Sequence, residues 1–164
     1  MAARNVQVIT ASYDSGYRDW RAGQGPKYIL EHGLRDVLMQ RGCSVSSVDV
    51  TVDFVTENAV AFGVCRALSE QVSAARKAQA FPLLLTGNCG SALGTLAGLE
   101  IGKTGIIWFD AHGEFNTPNT TLSGFLDGMG IATITGRCWQ AIAATVPGFA
   151  PCQKIILFWL GHEI

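Results

Sequence analysis

The stretch FPLLLTGNCGSALGTLAGL, residues 81–99, decides the fold class. Residues 81–86 form an unbroken apolar run, which is typical of a strand buried on both faces of a parallel sheet. Residues 91–99 are small and compatible with a helix, and a glycine-bearing turn separates the two segments. A buried strand followed closely by a helix predicts a unit of an α/β domain.

The same alternation continues on both sides of this unit. We predict further strands over residues 6–10, 45–50 (with a possible extension to 55), 104–109 and 155–160, and helices from 26 to 42, 56 to 80, 129 to 135 and 139 to 146. Strands that alternate with helices in this way favour βαβ units and a mostly parallel sheet.

Composition narrows the function classes. The 164 residues are 48% apolar and 15% charged, with a net charge of −1, which argues against a disordered chain and against a nucleic-acid-binding protein. The apolar runs are too short to span a membrane, and no signal-like stretch opens the sequence. Five cysteines without a CxxC pair favour reduced thiols, so we expect a cytoplasmic protein.

The end of the sequence is unusual for such a fold. An apolar strand over residues 155–160 is followed by only four residues, so no helix covers it. We therefore predict a single domain over residues 1–164 that is incomplete at its C-terminal end. Such a domain would expose an apolar sheet edge or face, which favours self-association, and a homo-oligomer is one possible outcome.

The segment WFDAHGEFNTP, residues 108–118, carries the candidate chemistry. If the backbone is extended here, Asp110, His112 and Glu114 point the same way, because side chains alternate along a strand. They would meet at the carboxyl end of a strand, where open parallel sheets place their ligands. Oxygen and imidazole ligands suit Mn²⁺, and also Fe²⁺ or Zn²⁺. The alternative is a polar loop with a capping aspartate and a solvated histidine.

This region resembles a known family. Residues 108–128 are similar to the D-A-H-x-D-x-N-T-P…T-T-x-S-G-x-x-H-G block of the ureohydrolase superfamily, which contains arginases, agmatinases and formiminoglutamases. Residues 86–94 resemble the family's G-G-D-H-S…G block, and residues 23–34 its G-x-x-x-G-P…L opening. The resemblance covers nearly the whole chain but only about the first half of the family's domain. It implies a three-layer, arginase-like α/β fold with helices on both faces of a mostly parallel sheet.

The resemblance also implies an activity. Members of the family are hydrolases of guanidine or amidine C–N bonds, in which two Mn²⁺ ions deprotonate a bridging water for attack on the trigonal carbon. Asp110 matches a bridging carboxylate, His112 matches an imidazole ligand, and Glu114 stands where the family has an aspartate one methylene shorter. Three further residues match positions that recognise the substrate's amino-acid head group: Asn116, Thr121 and Ser123. Plain turn chemistry is the alternative for these three.

Two positions depart from the family's pattern. Cys89 stands where a metal-ligating histidine belongs; a thiolate there would bind Zn²⁺ or Fe²⁺, whereas a neutral thiol would be a small buried residue, the reading we favour. Asp127 occupies the position of a proton-shuttling histidine. A carboxylate can transfer protons, but its unperturbed pKa of about 3.9 lies far from the working pH.

The third departure is the absence of the family's downstream D-x-D-x-x-D-P block. No aspartate follows Asp127, so Asp110 and Glu114 would face the four positive charges of two divalent ions. We therefore expect one bound Mn²⁺ or none. The leading hypothesis is a metal-dependent hydrolase of a small guanidine or amidine, impaired in this short chain. The alternatives are a non-catalytic homologue that keeps the scaffold and at most one weakly bound metal, or a full-length relative in which Cys89 supports different chemistry.

Overall fold

The computed structural model describes residues 4–99, 105–152 and 155–159. Strands and helices alternate along most of the chain, with a short hairpin after the first strand. In chain order they are β1 (Arg4–Ala11), β2 (Tyr13–Asp14), β3 (Tyr17–Arg18), α1 (Gly25–Glu31), α2 (Leu34–Gln40), β4 (Cys43–Asp49), α3 (Glu57–Lys77), β5 (Phe81–Thr86), α4 (Ala92–Gly98), β6 (Ile106–Asp110), α5 (Gly130–Ile134), α6 (Gln140–Ala143) and β7 (Ile155–Trp159). Within the described ranges, short 3₁₀ turns span Arg21–Gln24, Cys89–Ser91 and Asp127–Met129.

The main sheets are parallel, as the alternation of strands and helices predicts. One has the order β4-β1-β5, with Val8 opposite Ser47 and Leu83. The other pairs β6 with β7, starting with Ile106 opposite Ile155. The carboxyl ends of parallel strands lie at the same edge of a sheet, so β5 and β6 each deliver the segment that follows them to such an edge.

Helices cover both faces of the first sheet. Ile9 on β1 packs with Leu68 and Val72 of α3, and all three are fully buried. Val8 points to the opposite face because side chains alternate along a strand, and it is fully buried as well. Helices α1 and α2 contact β5 and β4 respectively. The predicted three-layer arrangement is therefore present around β1.

Helix α4 lies unusually close to α3. A Cβ added to Gly94 would come within 2.3 Å of the carbonyl oxygen of Cys65, and one added to Gly98 within 2.6 Å of that of Ser69. Glycines four residues apart lie on one face of a helix, so this face is flat enough for backbone contact. The contact fixes the position of α4 and of the turn that precedes it.

Two local predictions are wrong in detail. The helix predicted from residue 26 to 42 is two helices, because Gly33 takes a left-handed backbone with φ of 91° and separates α1 from α2. The segment between β1 and α1, for which the sequence pattern predicts no strand or helix, contains the hairpin β2–β3. Ser15 and Gly16, both with positive φ, form its two-residue connection.

Two strands are less covered than the sequence predicts. Phe81 on β5 is 65% exposed, and Ile107 and Phe109 on β6 are 61% and 67% exposed. Within the described residues β5 pairs with β1 alone and β6 with β7 alone, so each strand keeps one edge without a neighbouring strand. Apolar side chains of both strands are therefore exposed, although the sequence pattern predicts that β5 is buried on both faces.

None of the helices in the described ranges has the length and apolar character needed to cross a bilayer.

Candidate metal centre

The turn after β5 is built by short-range hydrogen bonds. The hydroxyl groups of Thr86 and Ser91 lie 2.7 Å apart, and the Ser91 hydroxyl also donates to the carbonyl oxygen of Asn88 at 2.6 Å. Gly87 is needed in this turn, because a Cβ there would come within 2.3 Å of the carbonyl oxygen of Tyr13. The turn therefore holds Cys89, the first residue of its 3₁₀ segment, in a defined place.

Asp127 anchors the same turn from a distant part of the chain. Its Oδ2 accepts a hydrogen bond from the Asn88 side-chain amide at 2.6 Å, and its Oδ1 accepts one from the backbone N–H of Gly90 at 3.0 Å. Burial raises the pKa of Asp127, although the hydrogen bonds from Gly90 and Asn88 act to lower it. Both carboxylate oxygens thus bind the residues on either side of Cys89. Its predicted role in proton transfer stays a prediction.

Three candidate ligands meet beside this turn. A sulfur or oxygen atom from each of Cys89, Asp110 and Glu114 lies within 4.8 Å of the other two. The Cys89 Sγ is 3.9 Å from Oδ2 of Asp110, which is the last residue of β6. The carboxyl ends of β5 and β6 therefore deliver their polar groups to one point.

Glu114 reaches the cluster by a different backbone path from the one predicted. The strand ends at Asp110, and Glu114 has a left-handed backbone with φ of 50°, so the extended alternation is wrong. Only 7% of Glu114 is exposed, and its Oε2 is buried without a hydrogen-bond partner. Burial, followed by the negative charges of Asp110 and Asp127, raises the pKa of Glu114 to about 7. A buried carboxylate oxygen without a donor is costly, and a cation would remove that cost.

His112 lies outside the three-residue cluster. Its side chain is 80% exposed, and its Nδ1 is 3.4 Å from Oδ1 of Asp110. The backbone N–H of His112 also donates to that oxygen, at 2.9 Å. His112 thus contacts the cluster at Asp110, while Cys89 lies beside the two carboxylates.

Cys89 is exposed, which contradicts its interpretation as a small buried residue. Partial desolvation of the sulfur and the negative charges of Asp127, Glu114 and Asp110 raise the pKa of its thiol to about 12. The thiol is therefore neutral at pH 7 while no cation is close to it. Coordination to a metal reverses this, because a bound thiol loses its proton.

The three predicted head-group residues make local turn contacts. Asn116 Oδ1 accepts a hydrogen bond from the Thr120 hydroxyl at 3.2 Å. The Thr121 hydroxyl accepts from the N–H of Gly124 at 3.0 Å, and the Ser123 hydroxyl from that of Phe125 at 3.2 Å. These contacts are the turn chemistry that the sequence left as an alternative, and a role in substrate recognition stays a prediction.

A largely apolar cleft of about 670 Å³, which includes open solvent, lies next to the cluster. Asn88, Gly90 and Asp127 line it, together with residues of α3 and of the hairpin β2–β3. Cys89, Asp110 and Glu114 do not line it, so the anchored turn separates the cleft from the cluster. Sequence reasoning missed Asn88, because nothing local marks it as the partner of a residue 39 positions away.

The donor set fits one divalent cation. Two carboxylates carry two negative charges, and the thiol adds a soft donor that ionises on binding. The orphaned Glu114 oxygen supplies a buried lone pair. Among the residues that the structure describes, this is the one group of three or more ligand-type side chains.

The sequence of this chain is similar to those of arginases. The family model described as "Arginase family" matches residues 4–150. An arginase of Bacillus subtilis (strain 168) is 29% identical over an alignment of 163 positions that covers 92% of this chain and 54% of the relative. "Arginase, non-hepatic 1" of Xenopus laevis is 30% identical over an alignment of 176 positions that covers 97% of this chain and 49% of the relative.

Solved structures agree on the fold. A crystal structure of arginase from Bacillus subtilis superposes with a TM-score of 0.83 at 28% identity, covering 94% of this chain and 55% of that one. A formimidoylglutamase from the same species superposes with a TM-score of 0.56 at 15% identity, covering 96% and 56%, which is a likeness of fold alone. The chain spans about half the length of the relatives it matches. Within that span its sequence and its fold agree with one another, and the chain belongs to the arginase family.

Proposed function

We propose that this protein is a metal-dependent hydrolase of C–N bonds in small linear guanidines or amidines, with its activity impaired in the 164-residue chain. The observation that supports this most is the Cys89, Asp110 and Glu114 cluster at the carboxyl ends of two strands of an arginase-family fold. Ligand sites of open parallel sheets lie at this edge.

The residues of the site would have separate roles in metal binding, in positioning and in substrate contact. Asp110 and Glu114 would hold a divalent cation, Mn²⁺ in the family's usual chemistry, and Asp127 keeps the neighbouring turn in place. A bound divalent cation supplies Lewis acidity and lowers the pKa of water. Asn116, Thr121 and Ser123 would contact the polar end of the substrate if their turn contacts open. His112, which is exposed beside Asp110, would supply an imidazole ligand from the rim of the site.

One cation per chain is the stoichiometry that the described residues support. Two carboxylates balance one divalent ion, whereas a second ion would leave positive charge without a counter-charge at a partly buried site even after the Cys89 thiol ionises. We expect less than two Mn²⁺ per chain and slow turnover for that reason. We also place the protein in the cytoplasm, since no disulfide joins its five cysteines, all of which lie in described segments.

The test combines metal content with product release. The purified chain is incubated with arginine, agmatine and formiminoglutamate, with and without Mn²⁺, and urea or ammonia is measured. The proposal predicts slow release that requires added metal and is lost in Asp110→Asn, with Asp36→Asn on α2 as a matched control. Two tightly held Mn²⁺ per chain would contradict the charge argument.

A second candidate is a non-catalytic, metal-binding homologue that keeps the scaffold. The charge count of the described cluster favours it, since two carboxylates are few for a two-metal hydrolase. Metal binding without product from any of the three substrates would support this candidate over the first.

A further inference from the structure

Two independent features of the cluster point to a cation that accepts sulfur. Cys89 presents its Sγ 3.9 Å from a carboxylate oxygen of Asp110, with Glu114 completing a group whose donor atoms lie within 4.8 Å of one another. Separately, Glu114 is only 7% exposed, and its buried Oε2 has no hydrogen-bond donor. An oxygen in that state is explained by a ligand that brings positive charge.

The identity of the donors indicates which cation. Carboxylate oxygens alone suit Mn²⁺ or Mg²⁺, whereas a cysteine sulfur among them favours Zn²⁺ and related thiophilic ions. We propose that Cys89, Asp110 and Glu114 form a mixed sulfur–oxygen site that binds one thiophilic divalent cation, of the Zn²⁺ class, in preference to Mn²⁺. The proposal rests on the proposed function only in that both concern the same metal centre. On binding, the thiol proton is released to solvent and the thiolate becomes the ligand.

The Cys89–Asp110 pair requires little rearrangement to bind one ion. Zinc bonds of about 2.0 Å to oxygen and about 2.3 Å to sulfur place tetrahedral ligand atoms about 3.5 Å apart. The sulfur–oxygen separation of 3.9 Å between Cys89 and Asp110 is within a few tenths of an ångström of that value. Three protein ligands leave the fourth position of a tetrahedral ion open for water or substrate, as in catalytic zinc sites.

The position of the sulfur is prepared by residues that do not touch the cation. Asp127 holds the backbone of Gly90 and the side chain of Asn88, on either side of Cys89. Because both of its oxygens are used in this way, Asp127 is a positioning residue for the sulfur. Outer partners of this kind commonly change metal affinity by about tenfold or more when they are replaced.

The experiment uses Co²⁺ as a spectroscopic probe of the whole chain. A cobalt–thiolate bond gives a charge-transfer absorption in the near ultraviolet that oxygen ligands do not give. We expect this band for the unmodified chain, its loss in Cys89→Ser, and its retention in Cys43→Ser, whose cysteine lies on β4 at the far edge of the sheet. Circular dichroism establishes that each variant is folded.

Competition titrations then test selectivity. Zn²⁺ should displace Co²⁺ and bind more tightly than Mn²⁺, and Cys89→Ser should weaken Zn²⁺ binding by about tenfold or more while leaving Mn²⁺ binding nearly unchanged. Asp127→Asn should weaken the thiolate band and Zn²⁺ affinity together. Rescue of the band by Cys89→His is not expected, because an imidazole gives no thiolate transition.

The outcomes separate this inference from the proposed function. A cobalt spectrum that lacks the thiolate band, or equal Zn²⁺ affinity in the unmodified chain and Cys89→Ser, overturns the mixed site even if Mn²⁺ supports hydrolysis. A thiolate band without hydrolysis of any substrate upholds the site and removes the enzymatic proposal. Failure of every divalent ion to bind the folded chain overturns both.

Discussion

Replacing Glu114 by glutamine tests whether this buried carboxyl group weakens the metal-free fold at neutral pH. Burial and neighbouring negative charges raise the pKa of Glu114 from 4.5 to about 7 in the folded chain. Between these two values the folded state keeps a proton that the unfolded state has lost. The free energy of unfolding therefore falls as pH rises through this window, by about 1.4 kcal/mol per pH unit.

The accumulated effect is large for one side chain. From pH 4.5 to pH 7 it amounts to about 3 kcal/mol, which is absent below the window and complete above it. Glutamine has the same shape but does not titrate, so Glu114→Gln should flatten the profile by that amount. Asp127, whose pKa is also raised, is present in both proteins, so the difference between the two profiles measures Glu114 together with its charge coupling to Asp127.

The assay is urea denaturation in the presence of a chelator at several pH values from about 4.5 to about 8. The quantity compared is the change in unfolding free energy across the window, because the absolute stability of the variant also contains the cost of burying an amide. Glu70→Gln, on an exposed position of α3, is the matched control and should follow the unmodified protein. Parallel pH profiles for Glu114→Gln and the unmodified chain would refute the reasoning.

Two further substitutions test the framework that positions the site. Gly94→Val should lower the free energy of unfolding by about 3 kcal/mol or more, because the Cβ of the new valine has no room against the backbone of α3. Gly25→Ala should change the free energy of unfolding little, because a Cβ there lies in open space, and thermal denaturation of the two variants measures the difference. Tyr13→Phe should lower the free energy of unfolding, measured by chemical denaturation, by about 1–2 kcal/mol, because the Tyr13 hydroxyl donates to the carbonyl oxygen of Val52 and accepts from the Val52 N–H. A variant as stable as the unmodified chain would contradict this.

The parts of the fold that local patterns encode were predictable. The apolar run that became β5 and the helix that begins after Thr56 are both present, and the Thr56 hydroxyl accepts a hydrogen bond from the N–H of Ala59 as an N-cap should. The glycine pair of α4, spaced by four, is a sequence signal for close helix packing. Long-range polar contacts such as that between Asn88 and Asp127 leave no local signal, so the anchored turn was not foreseen.

The candidate site shows the same division. The sequence pattern predicts that Asp110, His112 and Glu114 converge. Asp110 and Glu114 do so through a left-handed residue and not through an extended strand, whereas His112 lies outside the cluster. Side-chain alternation could not reveal this, because it describes strands and the strand ends at Asp110. Cys89 was recognised as a possible ligand from its position in the motif, while its exposure depended on how the turn after β5 folds.

The buried, donorless oxygen of Glu114 has a consequence for how long the molecule survives in a cell. A ligand that binds the native state alone raises its stability in proportion to the logarithm of ligand concentration, and proteases digest the transiently opened population. A chain carrying this oxygen would thus turn over faster when its cation is scarce and accumulate when the cation is plentiful. The amount of this protein in the cell, and not only its activity, would then depend on the supply of the cation.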